Sequence, residues 1–484
     1  MIELPSGALL IGDERITGAS GGTHAHIYPG TGQPNATVEL AGSAEIDRAV
    51  TVARDAQRQW VGYSVDQRRD LLVGLADLVS EHAAELTAIN ACDYGVPVAM
   101  AGNSIVTERF LRYYAGYVDK AHGLSTPVSG SFDVNIVERE SYGVVAVITP
   151  WNGPLVVIGS GVAPALAAGN AVVLKPSELA PLAPLRFGEL CLEAGLPPGL
   201  VNVVPAKAEG GQALVAHPGI GKIHFTGGHD TARQVLRTAA SNLTPVIAEL
   251  GGKSANIVFA DADLDAAATL AAFQGPLTQS GQSCACASRI LVQDSIYETF
   301  LDKFLTAVQS APIGDPLRPD VLFGPVVSES AATRIMEVID DAITQRSGEL
   351  VAGGHRIGDE LAEGFYIEPT VFADVDNRSA LAQKETFGPV VSVMRFRDEN
   401  DAVNLANDTR FGLNAFIQTN DLRRAHRVAR RLEAGSIWIN TFSDIQPQGP
   451  YGGYKHSGFG RTGGLEGLYE FLQTKNIRIG MPAT

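Results

Sequence analysis

The sequence predicts an α/β fold built on parallel sheet, and three observations carry that reading. Short apolar runs rich in Val and Ile recur at 144–148, 171–174, 201–204 and 255–259. Helix-like segments separate them, among them 158–168, 182–194 and 230–240. Buried strands alternating with helices are the pattern of βαβ units. With 484 residues the chain also exceeds one ordinary domain, so two or three packed units are expected. Hydrophobic residues at 45% and charged residues at 19% give a globular profile with a core large enough to enclose a cleft.

The remaining elements follow in order. Strand candidates precede residue 45, and residues 43–93 read as helices. Ser43-Ala44-Glu45-Ile46 offers an N-cap, and Ser64-Val65-Asp66-Gln67 resembles a capping box. A helix is expected over 99–120 and an alanine-rich one over 262–274. A strand at 289–292 leads to helices at 294–310 and 328–346. Glycine-rich turns and β-type residues fill 350–376. Helices at 400–407 and 420–433 precede a strand at 436–439. The tail, 465–480, holds a helix and then a strand at 476–479. There is no internal repeat or low-complexity linker, so domain boundaries are soft.

Charge and cysteine usage exclude several classes. The formal net charge is -16, from 37 basic and 53 acidic residues. Such a surface repels phosphate backbones and argues against nucleic acid as a partner. The four cysteines, Cys92, Cys191, Cys284 and Cys286, do not form a disulfide framework. No Cys-x-x-Cys or clustered histidine supports a metal site. Cys286 reads as structural or redox-modulating, and Cys92 and Cys191 as core. The first residues, Met1 to Pro5, lack a basic region followed by an apolar run. No apolar stretch reaches the roughly 18–20 residues that span a bilayer. Neither secretion nor a membrane is expected, and the cytoplasm is the expected location.

Three fragments carry candidate chemistry. Gly281-Gln282-Ser283-Cys284 lies between a helix and a strand, where a side chain can face a cleft. A thiolate there attacks carbonyl carbon and divides one oxidation into two steps; the alternative is a buried inert cysteine. Glu249 ends the apolar run from Pro245 and is followed by Leu250, Gly251, Gly252 and Lys253. A desolvated carboxylate there is a general base; a salt-bridged or capping Glu is the other reading. Asn152, in Thr149-Pro150-Trp151-Asn152-Gly153-Pro154, sits after the strand at 144–148. Its amide can donate to an oxyanion, or the segment is an ordinary turn.

Together these fragments resemble the aldehyde dehydrogenase superfamily over most of the chain. Pro150-Trp151-Asn152 resembles its oxyanion motif, and Lys175-Pro176-Ser177-Glu178 its adenosine-ribose motif. Phe225-Thr226-Gly227 resembles its pyrophosphate motif. The Glu249 and Cys284 fragments resemble its base and nucleophile signatures. Glu385-Thr386-Phe387-Gly388-Pro389 resembles its nicotinamide-ribose motif, and Pro450 to Lys455 with Ser457-Gly458 its C-terminal signature. Seven motifs in the family's order make the resemblance specific. It implies oxidation of a small-molecule aldehyde to a carboxylic acid with NAD, with Cys284, Glu249 and Asn152 catalytic. The implied cofactor contacts are Ile148, Thr149, Pro150, Trp151, Lys175, Ser177, Glu178, Phe225, Thr226, Gly227, Gly228, Leu250, Glu385 and Phe387. Glu178 accepts from ribose hydroxyls and repels a 2′-phosphate, which favours NAD over NADP. Lys175 can share that ribose, which leaves NADP open. The base at Glu249 favours hydrolysis over transfer to coenzyme A. Rival readings are a coenzyme A-acylating dehydrogenase, a catalytically silent homologue and a thiol hydrolase.

Departures from the family pattern carry expectations of their own. Gly228 replaces the usual Ser and Ala232 the usual second Gly of the pyrophosphate motif, which predicts looser cofactor binding. Gly153 stands where Phe is common, and Pro154 suits the first turn of a helix. Gly153, Val157 and Ser160 then share a helix face that lines the family's aldehyde tunnel, with Ser283 and Phe442 nearby. Small residues there imply a wide tunnel for a bulky, aromatic or cyclic aldehyde, unless Phe442 or Ile445 refill it. Neither 151–160 nor 441–449 contains Arg or Lys, which counts against a second carboxylate on the substrate.

The resemblance implies a Rossmann-like parallel-sheet cofactor domain from 1–122 and 142–251. It implies an α/β catalytic domain over 252–455. A small β oligomerisation flap, from 123–141 and 456–484, is expected to join subunits into a homodimer or homotetramer. Residues 133–138 alternate as an exposed ribbon needing a partner would.

Overall fold

The computed structural model describes residues 3–100, 102–129 and 133–481. Two large sheets organise it. In the first, the strands run in the order Gly458–Phe459, Val246–Leu250, Lys222–Gly227, Val144–Ile148, Ala171–Lys175, Val201–Val203, Leu9–Ile11, Glu14–Ile16. The five strands from Val246–Leu250 to Val201–Val203 are parallel, and the pairings outside them are antiparallel. Val144–Ile148 and Ala171–Lys175 are buried throughout, as continuous apolar runs covered on both faces require. The order reverses beside Val144–Ile148, and ligands of open α/β sheets bind at such a switch point, outside the carboxyl ends of the strands.

The second sheet runs Glu349–Ala352, Thr370–Ala373, Val390–Phe396, Arg289–Gln293, Ala255–Val258, Asn414–Gln418, Ser436–Ile439. All its pairings are parallel except that of Glu349–Ala352. A third sheet sets Val134–Ser141 between Leu472–Ile479 and Leu124–Thr126. The alternating ribbon at 133–138 thus finds its first partner within the chain: the tail pairs with it over eight registered positions. The tail reaches it only after Gly458–Phe459 has paired with Ala248 and Glu249 at the edge of the first sheet.

Several local expectations change. Helix Ser43–Gly62 is capped by Gly42, not Ser43; Glu45 closes the turn by accepting from the Gly42 N–H at 2.9 Å. The box at Ser64 forms as expected, with Gln67 N–H donating to Ser64 at 3.2 Å and Ser64 N–H to Gln67 at 2.9 Å. The helix expected over 99–120 is the shorter Asn103–Ala115. The segment after Pro154 is not one α-helix: Ile158–Val162 is a π-turn between Pro154–Val157 and Ala163–Ala167. Close packing accompanies it. A Cβ on Gly159 would lie 3.0 Å from Thr107 Cα, and one on Gly161 2.8 Å from His224 Nδ1. The spacing that put Val157 and Ser160 on one α-helical face therefore does not hold as stated.

Candidate active site

Glu249 is the fourth residue of Val246–Leu250, with its side chain buried at 7% exposure. Neither carboxylate oxygen has a hydrogen-bond partner. Burial holds its pKa well above the usual carboxylate range; Arg461 opposes the shift and Glu470 adds to it. Gly452 leaves room for this carboxylate, since a Cβ there would lie 2.8 Å from Glu249 Oε1. Ser457 fixes the strand end: its hydroxyl donates to the Gly251 carbonyl at 2.8 Å and accepts from the Gly412 N–H at 3.0 Å.

Cys284 lies in the loop between helix Leu264–Ala272 with its π and 3-10 extensions and the strand Arg289–Gln293. Its side chain is partly exposed. Burial, together with the nearby Glu385 and Glu249 carboxylates, pushes the thiol up to about 12, and the Tyr451 side chain opposes them. The loop is pinned from several sides. Asn152 Nδ2 donates to the Gln282 carbonyl at 2.8 Å, the Val327 N–H donates to Gln282 Oε1 at 2.9 Å, and Ser280 donates to the Gly324 carbonyl at 2.7 Å. An amide nitrogen carries two hydrogens, and the bond to the Gln282 carbonyl uses one of them.

Glu385 folds over the same region. Its Oε1 accepts from the Gly252 N–H at 2.9 Å, and a Cβ on Gly251 would collide with the carboxylate. Burial raises its pKa, while the Gly252 N–H, Lys253, Arg334 and Arg410 draw it down. The Phe387 ring stands edge-on to Trp151 at 5.4 Å, joining the loop before Val390–Phe396 to the loop after Val144–Ile148. Lys253 is buried with no partner for Nζ, and burial lowers its pKa to about 7.

A cleft of about 300 Å³ opens at the carboxyl ends of the first sheet. Ile148, Val215, Phe225 and Val235 wall it, with Lys175, Gln212 and Gln234 supplying polar groups. An apolar slot with a few polar groups fits a purine ring. Gly228 caps helix His229–Ala240 and has open space around its Cα, so the first N–H groups of that helix remain approachable to an anion. Glu178 acts electrostatically on both His24 and Lys175, and of these Lys175 lines the cleft. Ser177 accepts from the Leu179 N–H at 3.3 Å, which shapes that turn. The residues present therefore suit an extended dinucleotide.

The structure brings Glu249 and Glu385 each within electrostatic reach of Cys284, with Asn152 tied to the same loop. Lys175 and Phe225 line the cleft at the first sheet, and Glu178 acts electrostatically on Lys175. Val157 and Ser160 are buried, and Ser160 turns its hydroxyl back to the Val157 carbonyl at 3.4 Å. Phe442 is 49% exposed and faces Phe273 edge-on at 6.5 Å. Sequence reasoning missed Tyr451, Arg461, His24 and Lys207. Tyr451 was visible only as one letter of a motif, and the others had no local signal. Cys92, Cys191 and Cys286 are all buried, and Cys286 donates weakly to the Thr278 carbonyl at 3.8 Å.

A thiol, an unpaired buried carboxylate and a dinucleotide-type cleft at a switch point define a cysteine-dependent α/β oxidoreductase. Residues 16–477 match the model of the aldehyde dehydrogenase family, and the chain belongs to that family. An aldehyde dehydrogenase of Enchytraeus buchholzi is 39% identical over 481 residues, covering 98% of this chain and 96% of that one. Betaine aldehyde dehydrogenase of Staphylococcus aureus, solved in complex with NAD+, superposes with a TM-score of 0.95 at 34% identity. It covers 100% of this chain and 96% of its own. The indole-3-acetaldehyde dehydrogenase of P. syringae, a cysteine-to-alanine mutant in complex with NAD+ and IAA, has a TM-score of 0.95 at 36% identity. It covers 99% of this chain and 97% of its own.

Proposed function

We propose that this aldehyde dehydrogenase oxidises a bulky aldehyde to the acid, with Cys284 as nucleophile, Asn152 as oxyanion donor and Glu249 as the base for hydrolysis. The observation that carries the reading is Glu249: a buried carboxylate without a hydrogen-bond partner, in electrostatic reach of a thiol. Such a group is costly to the fold and suited to taking a proton from water. The Cys284 sulfur adds to the aldehyde carbon, and the resulting oxygen anion is met by the Asn152 amide and the Cys284 N–H. Bound NAD supplies the two-electron acceptor that converts this adduct to the thioester. Glu249 then withdraws a proton from water as it attacks the thioester, and the acid leaves with Cys284 restored.

NAD is the cofactor this reading assigns, and Glu178 favours it over NADP. Lys175 and Ser177 belong to the ribose end, Gly227 and Gly228 to the pyrophosphate, Glu385, Phe387 and Leu250 to the nicotinamide end. The open space at Gly153, where a Cβ has only Val156 within 4 Å, supports a wide tunnel. The third sheet is the flap that joins subunits; its Leu124–Thr126 edge and the outer edge of Ser436–Ile439 carry unpaired backbone groups. Assays with aldehydes of graded bulk, with NAD or NADP, and with or without coenzyme A test these assignments. Preference for bulky aldehydes and formation of free acid without coenzyme A are expected. Equal kcat/KM for a two-carbon aldehyde and every larger one would remove the wide tunnel. An absolute need for coenzyme A would remove Glu249 from its role.

A further inference from the structure

His26 is 1% exposed, and both of its ring nitrogens face oxygen. It lies on a hairpin, Thr23–Tyr28 with Gln33–Glu39, apart from the three larger sheets. The register slips opposite His26 and Ile27, which leaves Asn35 as the extra residue of a bulge. Asn35 Oδ1 lies 2.5 Å from His26 Nδ1. On the far side of the ring, Nε2 lies 3.2 Å from the Leu179 carbonyl oxygen and 3.3 Å from Asp93 Oδ1. A carbonyl only accepts, so Nε2 carries a hydrogen. With Asn35 Oδ1 as its partner Nδ1 carries one too, and the ring is an imidazolium paired with Asp93, itself 0% exposed. Asp93 has a second task. Its oxygens accept from the Leu182 and Ala183 N–H groups at 3.1 and 2.9 Å, at the start of helix Leu182–Glu193. The Leu179 N–H donates to Ser177 at 3.3 Å while its carbonyl meets His26. The turn that carries Ser177 and Glu178 is thus tethered at Leu179 by His26 and at the following helix by Asp93.

We propose that His26, as an imidazolium donating from both ring nitrogens, positions the Ser177–Glu178 turn and with it the adenosine ribose of the cofactor. The inference rests on Ser177 and Glu178 holding that ribose. His26 is a positioning residue, since it acts through the Leu179 backbone. Burial opposes its charge, but Asp93 on helix Ala83–Tyr94, Asn35 and the Leu179 carbonyl outweigh burial, and its pKa is raised. The other base facing it is His24, two residues earlier on the same strand, on which Glu178 and Lys207 act in turn.

Calorimetric titration with ADP-ribose, which carries the adenosine ribose without the nicotinamide, reads this end of the cofactor alone. His26→Gln keeps one donor and cannot be cationic. Losing a hydrogen bond to a charged group shifts an equilibrium roughly ten-fold, so Kd for ADP-ribose at pH 7 should rise about ten-fold, with alkylation of Cys284 by iodoacetamide unchanged. The gap between variant and wild type should narrow as pH rises and the ring gives up its second proton. Asn35→Leu removes only the Nδ1 acceptor and should raise Kd about three-fold, which carries the test should His26→Gln fail to fold. Neutron diffraction at pH 7 should show hydrogen on both ring nitrogens of His26. An unchanged Kd in folded His26→Gln, or a single ring hydrogen, would overturn the proposal. Wild-type affinity for ADP-ribose in Glu178→Ala would instead defeat the ribose assignment beneath it.

Discussion

Two carboxylates flank the thiol, Glu249 buried and Glu385 partly exposed, and they are held in opposite ways. Glu249, at the end of the first sheet, has no hydrogen-bond partner for either oxygen. Glu385, in the loop before Val390–Phe396, accepts from the Gly252 N–H and faces Lys253, Arg334 and Arg410. Burial raises both, but only Glu385 has several groups that favour its charge. The fold thus fixes Glu385 in place as an anchor and leaves Glu249 ready to change protonation. Under the proposed mechanism, proton transfer belongs to Glu249 and placement of a bound group to Glu385.

Removing the sulfur they share should have the largest effect: Cys284→Ala is expected to abolish aldehyde oxidation while the melting temperature holds. Glu249→Gln comes next. Loss of a general base costs typically 10²–10⁴-fold, so steady-state turnover should fall by about 10²-fold or more while the first turnover still releases NADH. Glu385→Gln should cost about ten-fold, chiefly in KM for NAD, with hydrolysis still proceeding; steady-state kinetics against a pre-steady-state burst separate the two. A stalled thioester in Glu385→Gln would erase the contrast between the carboxylates.

Stability against pH gives a smaller and sign-specific test. A Glu whose pKa is raised on folding binds its proton more tightly in the folded state, so its contribution is present below the unfolded value and is lost as pH rises through the folded one. Glu249→Gln should therefore raise the melting temperature at pH 8 and change it little at pH 4. The gain from Glu385→Gln should be smaller, because partners already offset the charge. His224 has the opposite dependence. It is fully buried with neither ring nitrogen paired, and burial lowers its pKa to about 4 from 6.5. Its contribution is present above pH 6.5 and lost between 6.5 and 4, amounting to about 3 kcal/mol at most. His224→Leu should flatten the fall in stability across that window.

The contrast also bears on what the sequence reveals. The candidate site was legible where it is local: Cys284, Glu249 and Asn152 each sit in a short segment with turn residues beside them. The strands Val144–Ile148, Ala171–Lys175 and Ala255–Val258 were legible because they are unbroken or nearly unbroken apolar runs. Lys222–Gly227 and Asn414–Gln418 were not, because buried polar residues interrupt them. Lys222 is paired with Glu470 at 2.9 Å, and Gln418 donates to Asn256 at 3.2 Å. Such residues look like loop until a distant partner is in view. Val390–Phe396 follows a turn-rich segment directly, and Ser392 and Arg395 interrupt its apolar run. The π-turn at Ile158–Val162 depends on packing against Thr107 and His224, which no period within the segment encodes. Tyr451 and Arg461 reach the site from a loop some 170 residues beyond Cys284, which leaves no mark near the nucleophile.

Intact mass of the Glu249→Gln protein after mixing with NAD and a bulky aldehyde tests the central claim most directly. A single acyl adduct that accumulates on Cys284 within the first turnover and decays slowly is the predicted result. Rapid turnover at the wild-type rate with no adduct, or an adduct on another cysteine, would contradict it.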